Sequence, residues 1–377
     1  MNELNGPLKT PLYQMHVDAG AKLIEFGGWL MPVQYSGIVV EHRAVRAEAG
    51  IFDLSHMGRI QVSGPKSARF LQFLATNDVL RLSIGQIQYS LLCNRSGGVR
   101  DDLLIYRLGE CEYLLVVNAS NRLKVLGWID EIKNNMPIGL EAADIDVEDR
   151  TFETVMVGIQ GPRSETILGS LAALPLQQLR YYHVVEGEVM GKTSLVSRTG
   201  YTGEDGFEVI LPVEAGIQLW DRLSKIADSE GVVLAGLGAR DTLRMEAAMP
   251  LYGHELDETI NPIEAGLARF VQMEKGDFVG RDALEPIAQS GPNRRLVGLE
   301  VTDRAIARQG TPVLAAGADV GRITSGSYSP TLDKSIAMAL IDSSVVDRSG
   351  PLEVVVRGSA HPASIVSLPF YRRKKHT

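Results

Sequence analysis

Cysteine is scarce in this sequence of 377 residues, which argues against a disulfide-rich protein and against a cysteine-based metal site. Only Cys93 and Cys111 occur, which is too few for a disulfide framework and lacks the CxxC spacing of a structural metal site. This cysteine usage predicts a cytoplasmic chain. The seven histidines show no HxH or HExxH spacing, so we expect no metal. We expect His56, in FDLSHMG, to be a packed or capping histidine and not a catalyst.

Long apolar runs and excess positive charge are also missing. No stretch approaches the roughly 20 apolar residues that span a bilayer. The first residues, MNELNGPLKTPLY, lack the apolar core of a signal peptide, so we expect no membrane association and a mature chain that begins at Met1. With 38 basic and 46 acidic side chains the net charge is −8, which disfavours a nucleic-acid partner. The tail YRRKKHT (371–377) is locally basic.

The sequence does contain enough apolar residues for a large core and for two or three domains, since 45 % of its residues are hydrophobic. Two segments resemble each other, IQVSGPKSARFLQFL (60–74) and VGIQGPRSETILGSL (157–171). Each predicts a strand, a Gly-Pro corner and a helix. They indicate two related α+β units, with chance similarity of two common corners as the alternative. Beyond residue 290, runs such as RLVGLEV and PLEVVVRG predict an all-β domain.

Between the two repeats the sequence predicts three antiparallel strands, QIQYSLLCN, VRDDLLIYRL and EYLLVVNAS. The second strand begins with Asp101 and Asp102, although a buried strand has no need of acids. Because side chains alternate along a strand, Asp102 shares a face with Tyr106. A four-residue loop before this strand would place Tyr89 opposite Asp102. The alternative is that the two acids cap a turn or pair with a surface lysine.

The hairpin of the second and third predicted strands extends the sheet face that holds Asp102 and Tyr106. A loop centred on Gly109 and Glu110 would pair Arg107 with Glu112 across the strands and set Val117 opposite Asp102. Asn118 follows directly. One acid and two phenols on such a face could line an elongated cleft, a shape that suits a long planar ligand.

A second polar cluster is RTGYTGEDGFEVIL (198–211), which is glycine-rich and contains Glu208. Neither this loop nor AGLGARDTLR has the glycine spacing of a dinucleotide-binding loop. A glycine-rich hairpin with solvated acids is the alternative to a binding role. The segment GARDTLRMEAAM (238–249) predicts a helix with Arg240 and Arg244 on one face, where Glu246 and Asp241 are available for pairing. Arg240, in the first turn, could bind a carboxylate of Glu208 or of a ligand.

Many of these segments, in the same order, resemble the glycine cleavage system T protein family of aminomethyltransferases. The matching segments include IFDLSHMG (51–58), YSLLCNRSGGVRDDL (89–103), GYTGEDGFE (200–208), GLGARDTLRMEAAMPLYGHEL (236–256), KGDFVGRDAL (275–284), TSGSYSP (324–330) and PFYR (369–372). The resemblance implies an α+β fold, a three-domain cloverleaf around a central folate channel. Two intertwined α+β units with antiparallel sheets would fill residues 1–290, about 1–55 with 140–290 and about 56–139. A barrel or jelly-roll-like domain would fill 291–377.

The same resemblance implies the activity. The family transfers an aminomethyl group from the lipoylated H protein to tetrahydrofolate, giving 5,10-methylenetetrahydrofolate, ammonia and dihydrolipoyl H protein. No metal, flavin or pyridoxal phosphate is expected. Carried over residue by residue, Asp102 is the catalytic carboxylate and Asp101 the second choice. The residues expected to bind folate are Tyr89, Tyr106, Asn118, Glu208, Arg240 and Arg372.

This chain departs from the family pattern in two places, and the resemblance leaves two alternatives. Ala248 stands where the family often has glycine, and Arg373 to Thr377 extend beyond the usual end. A tetrahydrofolate-dependent demethylase of another one-carbon donor, such as dimethylsulfoniopropionate, would share the folate site. A folate-binding assembly or iron-sulfur maintenance protein on this fold is usually shorter and lacks the DD pattern, which is present here.

Overall fold

A computed structural model describes residues 6–135, 142–348 and 350–373 of the chain. These residues form two compact units. The first is made of the residues up to Leu71, of Val79–Gln88 and of Leu103–Asp241, and the second of Gln72–Asp78, Tyr89–Asp102 and the chain from Thr242 onward. The predicted division at residue 290 stays a prediction. Residues 374–377 of the basic tail lie outside the described residues.

The regular elements follow one another in chain order. The strands are β1 (Leu8–Lys9), β2 (Lys22–Phe26), β3 (Trp29–Gln34), β4 (Gly50–Asp53), β5 (Gly58–Ser63), β6 (Ile87–Cys93), β7 (Val99–Arg107), β8 (Glu112–Val117), β9 (Asp146–Asp149), β10 (Thr154–Gln160), β11 (Val184–Val189), β12 (Lys192–Ser197), β13 (Gly206–Pro212), β14 (Val233–Leu234), β15 (Arg294–Val301), β16 (Pro312–Ala315), β17 (Ala318–Ser329), β18 (Lys334–Asp342), β19 (Leu352–Val356) and β20 (Ser359–Val366). The helices are α1 (Tyr13–Asp18), α2 (Ile38–Ala47), α3 (Ser67–Leu74), α4 (Arg122–Asn134), α5 (Ser164–Gly169), α6 (Val213–Glu230), α7 (Leu237–Glu246), α8 (Arg281–Ser290) and α9 (Ser343–Arg348). Among the described residues, no helix is long and apolar enough to cross a membrane.

The first unit is built around a six-stranded sheet with the order β11-β12-β13-β10-β4-β14. Its pairs are antiparallel except the edge pair β14 and β4, which is parallel, as is β1 with β3 in a small three-stranded sheet. The mixed α+β class is confirmed, with these two parallel edges as a departure from purely antiparallel sheets. Helix α6 buries Leu219, Trp220 and Leu223 in the same core as Val155 and Val157 of β10, the apolar stripe of an amphipathic helix.

The two repeats adopt the predicted local structure. In each, a strand (β5 or β10) leads through a Gly-Pro corner into a helix (α3 or α5). Gly64 and Gly161 have φ of +108° and +128°, a region open to glycine and strained for other residues. A Cβ on Gly64 would lie 2.4 Å from the carbonyl oxygen of Asp144, and one on Gly161 would lie 2.6 Å from that of Glu48. These corners therefore need glycine both for their backbone angles and for space.

The three predicted meander strands are β6, β7 and β8, neighbours in a five-stranded sheet of order β6-β7-β8-β5-β9. The predicted register between β7 and β8 is wrong by one residue. Arg107 lies opposite Tyr113 and not opposite Glu112. The predicted pairing of Val117 with Asp102 rested on the same register and falls with it.

The turn between β7 and β8 explains the shifted register. The backbone N–H groups of Leu108 and Gly109 both donate to the carbonyl oxygen of Glu112, at 2.9 and 3.1 Å. These bonds close a loop that is longer than the predicted one. The first residue pair of the two strands is therefore Arg107 with Tyr113. The guanidinium of Arg107 donates to the loop carbonyl of Gly109 at 3.3 Å, and the Glu112 carboxylate accepts from Gln61. The charge pair expected from the sequence is thus replaced by a bond from Arg107 to the loop and by a bond from Gln61 of β5 to Glu112.

In the second unit, β15 to β20 form a closed antiparallel barrel with the order β15-β18-β17-β16-β19-β20. Closure leaves no free sheet edge. Alternating side chains of these strands fill its interior with aliphatic residues, among them Leu299, Val313, Ala339, Ile341 and Val354. The predicted C-terminal β-barrel is confirmed.

The last turn of α7 ends in a Schellman motif. The N–H of Ala248 donates to the carbonyl oxygen of Met245 and the N–H of Met249 to that of Arg244, both at 2.9 Å, the bond pattern that defines this cap. The motif places Ala248 in the left-handed region with φ of +53°. The position at which the family often has glycine is therefore one where the backbone favours glycine.

Arg244 has two partners that the sequence analysis did not name. Its guanidinium forms an ion pair with Glu255 at 2.9 Å, with both side chains almost fully buried, and donates to Ser325 Oγ at 2.8 Å. Glu246, one of the two predicted partners, accepts a hydrogen bond from Ser329 Oγ at 2.5 Å. Arg244, Glu255 and Ser325 all belong to the second unit, so these bonds of Arg244 stabilise the fold within that unit.

Candidate functional site

The residues expected to act in catalysis or folate binding are divided between the two units. In the second unit lie Asp101, Asp102, Tyr89 and Arg372, and in the first Tyr106, Asn118, Glu208 and Arg240.

The catalytic candidate Asp102 meets Tyr89, as the sequence predicted. The Tyr89 hydroxyl donates to Asp102 Oδ2 at 3.0 Å. The Tyr89 ring packs edge-to-face against Phe270, with ring centroids 4.7 Å apart. Asp102 is half-buried, so its carboxylate is partly shielded from water and still reachable. A fixed, partly desolvated anion of this kind can stabilise positive charge or accept a proton.

A hydrogen-bond network that the sequence did not predict holds the backbone of Tyr89. The side-chain amide of Asn77 donates to the carbonyl oxygen of Tyr89 at 2.8 Å, and its backbone N–H donates to Ser90 Oγ at 3.0 Å. The ammonium of Lys275 donates to carbonyl oxygens of the same segment, those of Ala75 at 2.5 Å and Asn77 at 2.9 Å among them. Burial lowers the pKa of Lys275 to about 7. The only sequence signal was Lys275 at the head of KGDFVGRDAL.

Asp101, the second catalytic candidate, points away from this position. It is fully buried, whereas Asp102 is half-buried, as expected for neighbours on opposite faces of a strand. Asp101 lies near Tyr252: burial raises the pKa of the Tyr252 phenol, and the charges of Glu258 and Asp101 raise it further. The difference in exposure favours Asp102 as the acting acid, and the assignment stays a prediction.

In the first unit, Tyr106 and Glu208 are joined by two hydroxyl groups that the sequence analysis did not select. Thr199 Oγ1 donates to Glu208 Oε2 at 2.5 Å. Thr199 Oγ1 and Ser197 Oγ are 2.7 Å apart, and the Tyr106 hydroxyl lies 3.4 Å from Ser197 Oγ. Ser197 is directly opposite Glu208 in the pairing of β12 with β13. The available signal was the alternation of two small hydroxyl residues just before the GYTG loop.

Glu208 and Arg240 influence each other's ionisation. Burial raises the pKa of Glu208, and the Thr199 hydrogen bond and the charge of Arg240 oppose that rise. Burial lowers the pKa of Arg240, opposed by Tyr201 and Glu208. The Arg240 guanidinium lies 4.6 Å from the centre of the Tyr201 ring, within range of a cation–π contact. The structure thus brings two predicted residues, Glu208 and Arg240, into one electrostatic cluster.

The other two acids of the glycine-rich loop are ion-paired, which corrects the alternative of a solvated hairpin. Glu204 pairs with Arg46 at 2.9 Å, and Asp205 accepts from Arg198 Nε at 3.0 Å. Both pairs fix the loop to its own unit. Glu208 remains as the acid whose partners are a hydroxyl chain and Arg240.

Three further residues can be placed from the structure. Asn118 follows the end of β8, is half-buried, and its carbonyl oxygen accepts from the N–H of Asn121 at 3.0 Å. Arg372 is exposed and donates to the carbonyl oxygen of Leu368 at 3.4 Å. The folate-binding roles of Asn118 and Arg372 stay predictions. His56 is buried and edge-to-face with Phe26. Because burial lowers the pKa of His56 to about 3, it is a neutral packed histidine, as predicted.

Two family profiles together match most of the chain. The profile described as the GCVT N-terminal domain matches residues 12–275, and the glycine cleavage T-protein C-terminal barrel domain matches residues 294–372. The second match begins at β15 and runs through all six barrel strands. The fold and the clusters therefore define a protein of the class that combines these two domains.

Individual relatives agree with the profiles. The chain is 50 % identical over 366 residues to an aminomethyltransferase of Desulfitobacterium hafniense (strain DSM 10664 / DCB-2), covering 97 % of this chain and 98 % of that protein. It is 50 % identical over 367 residues to an aminomethyltransferase of Moorella thermoacetica, with the same coverage. The crystal structure of the glycine cleavage system aminomethyltransferase T from Bartonella henselae superposes with a TM-score of 0.88 at 35 % identity, covering 96 % of this chain and 98 % of that one. The chain belongs to the glycine cleavage T-protein family, and the predicted enzyme class, an aminomethyltransferase, is confirmed.

Proposed function

We propose that this chain transfers the aminomethyl group of the lipoylated H protein to tetrahydrofolate, giving 5,10-methylenetetrahydrofolate, ammonia and dihydrolipoyl H protein. The observation that carries the proposal is the Asp102 carboxylate, half-buried and held by the Tyr89 hydroxyl at 3.0 Å, in a member of this family. The cytoplasm, expected from the low cysteine content, is the proposed location.

Asp102 is proposed to act on charge and protons. Two folate nitrogens bond in turn to the methylene carbon, whose bonds to the amino nitrogen and to the lipoyl sulfur break. Each attacking nitrogen gains positive charge and loses its proton, and the two protons complete ammonia and the dihydrolipoyl thiol. A carboxylate fixed in advance stabilises this charge and can accept the proton. Tyr89 is proposed to keep the anion in place, because its hydroxyl donates to Asp102 Oδ2.

The first-unit cluster is proposed to bind the folate. A buried carboxylate such as Glu208 suits the N–H groups along the edge of a pterin ring. Arg240 is proposed to bind polar or carboxylate groups of the ligand, and Arg372 is assigned the same role from the family resemblance. Asn118 and Tyr106 complete the proposed set, and the buried Tyr106 hydroxyl contributes through Ser197.

The test compares three proteins: wild type, Asp102→Asn and Asp101→Asn. Ammonia and methylenetetrahydrofolate are measured from aminomethyl-loaded H protein and tetrahydrofolate, together with folate affinity. For Asp102→Asn we expect turnover to fall by about 10² to 10⁴, the usual value of acid–base or charge stabilisation, with folate affinity nearly unchanged. Near-normal turnover in Asp102→Asn with a collapse in Asp101→Asn would move the catalytic role to Asp101.

The donor is tested in the same experiment. Release of ammonia by the wild type supports aminomethyl transfer. Folate binding with no transfer from the loaded carrier would contradict the proposed donor, and dimethylsulfoniopropionate would then be tried as a methyl donor. The near-full-length matches to aminomethyltransferases favour the first outcome.

A further inference from the structure

Four side chains form a continuous buried hydrogen-bonded row in the first unit, Tyr106, Ser197, Thr199 and Glu208. None of them is more than 6 % exposed. The row starts at a phenol, passes through two hydroxyls and ends at one oxygen of a carboxylate, Oε2. Its two middle members, Ser197 and Thr199, are not among the residues expected from the sequence to bind folate.

The direction of the protons in this row follows from the charge of Glu208. An ionised carboxylate can only accept, so Thr199 gives it its single hydroxyl proton. Thr199 Oγ1 can then only accept from Ser197, and Ser197 in turn can accept from the Tyr106 phenol. Ser197 Oγ also lies 3.3 Å from the carbonyl oxygen of Glu208, a longer and weaker alternative for its proton. Every hydroxyl proton in the row thus points toward Oε2 when Glu208 is ionised.

We propose that Thr199 is a positioning residue for folate binding, which keeps Glu208 ionised and turns its second oxygen, Oε1, toward the N–H edge of the pterin. Ser197 and Tyr106 hold the Thr199 hydroxyl in the donating orientation. This inference rests on the proposed role of Glu208 and adds to it the group that sets its charge and direction.

Glu208 has two titratable neighbours, Arg240 and Tyr106, and only Arg240 is charged. Arg240 of α7 favours the ionised carboxylate by its positive charge, whereas burial opposes it. The Tyr106 phenol of β7 stays neutral, because burial and the nearby Glu208 both raise its pKa. Burial outweighs Thr199 and Arg240, so the pKa of Glu208 lies above the usual value for glutamate. Removing the Thr199 hydrogen bond or the Arg240 charge should therefore raise the pKa of Glu208 further.

The experiment measures the affinity of 5-formyltetrahydrofolate, an air-stable reduced folate, between pH 5 and 8. The variants are Thr199→Val, which keeps the shape and removes the hydroxyl, Thr199→Ser, which keeps the hydroxyl, and Glu208→Gln. In the wild type, affinity should fall as pH drops and Glu208 takes up a proton. Thr199→Val should bind the folate about tenfold more weakly at neutral pH, since a hydrogen bond to a charged group is lost. As the pH is lowered, its folate affinity should begin to fall at a higher pH than that of the wild type. Thr199→Ser should behave as wild type, and Glu208→Gln should lack this pH dependence.

A second measurement follows the carboxyl group itself. The protonated-acid C=O stretch, identified in infrared difference spectra as the band absent from Glu208→Gln, should titrate at higher pH in Thr199→Val than in wild type, without any folate. Ser197→Ala, a milder change, should shift it in the same direction. An unchanged titration in both variants would overturn the inference even if they bind folate weakly. The variants could instead shift the titration of Glu208 while the wild-type protein binds no folate. That result would support the effect of the hydroxyl row on Glu208 and contradict the proposed function.

Discussion

The hydrogen bond from Tyr89 to Asp102 can be removed with little other change. Replacing Tyr89 by Phe deletes only the hydroxyl that donates to Asp102 Oδ2 at 3.0 Å. The ring, and with it the edge-to-face contact with Phe270 at 4.7 Å, is retained. The bond from Asn77 to Tyr89 is made to the backbone carbonyl oxygen and is also unaffected. The variant therefore tests the hydroxyl and not the packing.

The expected size follows from the charge and exposure of Asp102. A hydrogen bond to a charged group contributes about 1.5 to 3 kcal/mol. Because Asp102 is half-buried, water screens the bond and the lower end of that range applies. About 1.4 kcal/mol corresponds to a factor of ten in rate. We therefore expect Tyr89→Phe to lower kcat about tenfold if Tyr89 acts by holding the carboxylate.

A double-mutant cycle distinguishes this role from others. Turnover is measured at saturating folate and carrier for wild type, Tyr89→Phe, Asp102→Asn and the double variant. Once the carboxylate has become an amide, the hydroxyl has no anion to hold, so removing it should then cost less than about threefold. If Tyr89→Phe lowers kcat equally in both backgrounds, the reasoning is refuted, because Tyr89 would act independently of the Asp102 charge.

Two stability predictions can be checked by denaturant unfolding. Ala248→Gly should raise the free energy of unfolding by about 0.5 kcal/mol. Relief of left-handed backbone strain stabilises the folded state by about 1 to 2 kcal/mol, which exceeds the free-energy cost of the added entropy of the unfolded chain. A lower denaturant midpoint would contradict this. For Asp53, burial opposes the charge, but His16 and Ser55 hold its pKa at about 2. Because the unfolded carboxyl titrates near 4, wild-type stability should fall by about 2 kcal/mol as pH drops from 4 to 2. Asp53→Asn should lack that loss, and an unchanged pH slope would count against the assignment.

The sequence by itself determined the local patterns and the family. Alternating apolar residues and short turns predicted the meander and the barrel strands, because these signals depend only on neighbours along the chain. The position of Asp102 beside Tyr89 followed from strand alternation and one loop length. The Gly-Pro corners were predicted for the same local reason, and the ordered motifs were specific enough to identify the family.

Only the tertiary structure decided what the polar side chains contact. The β7 to β8 register depended on two backbone hydrogen bonds to Glu112 in the turn, which no residue pattern announces. The hydrogen bond from Thr199 to Glu208 joins the loop after β12 to β13. The contact of Lys275 with Asn77 joins residues 198 positions apart. Such contacts, and the burial that shifts the pKa of Glu208, are set by which elements fold against each other. The residues next to each of these side chains in the sequence do not specify which distant partner it contacts.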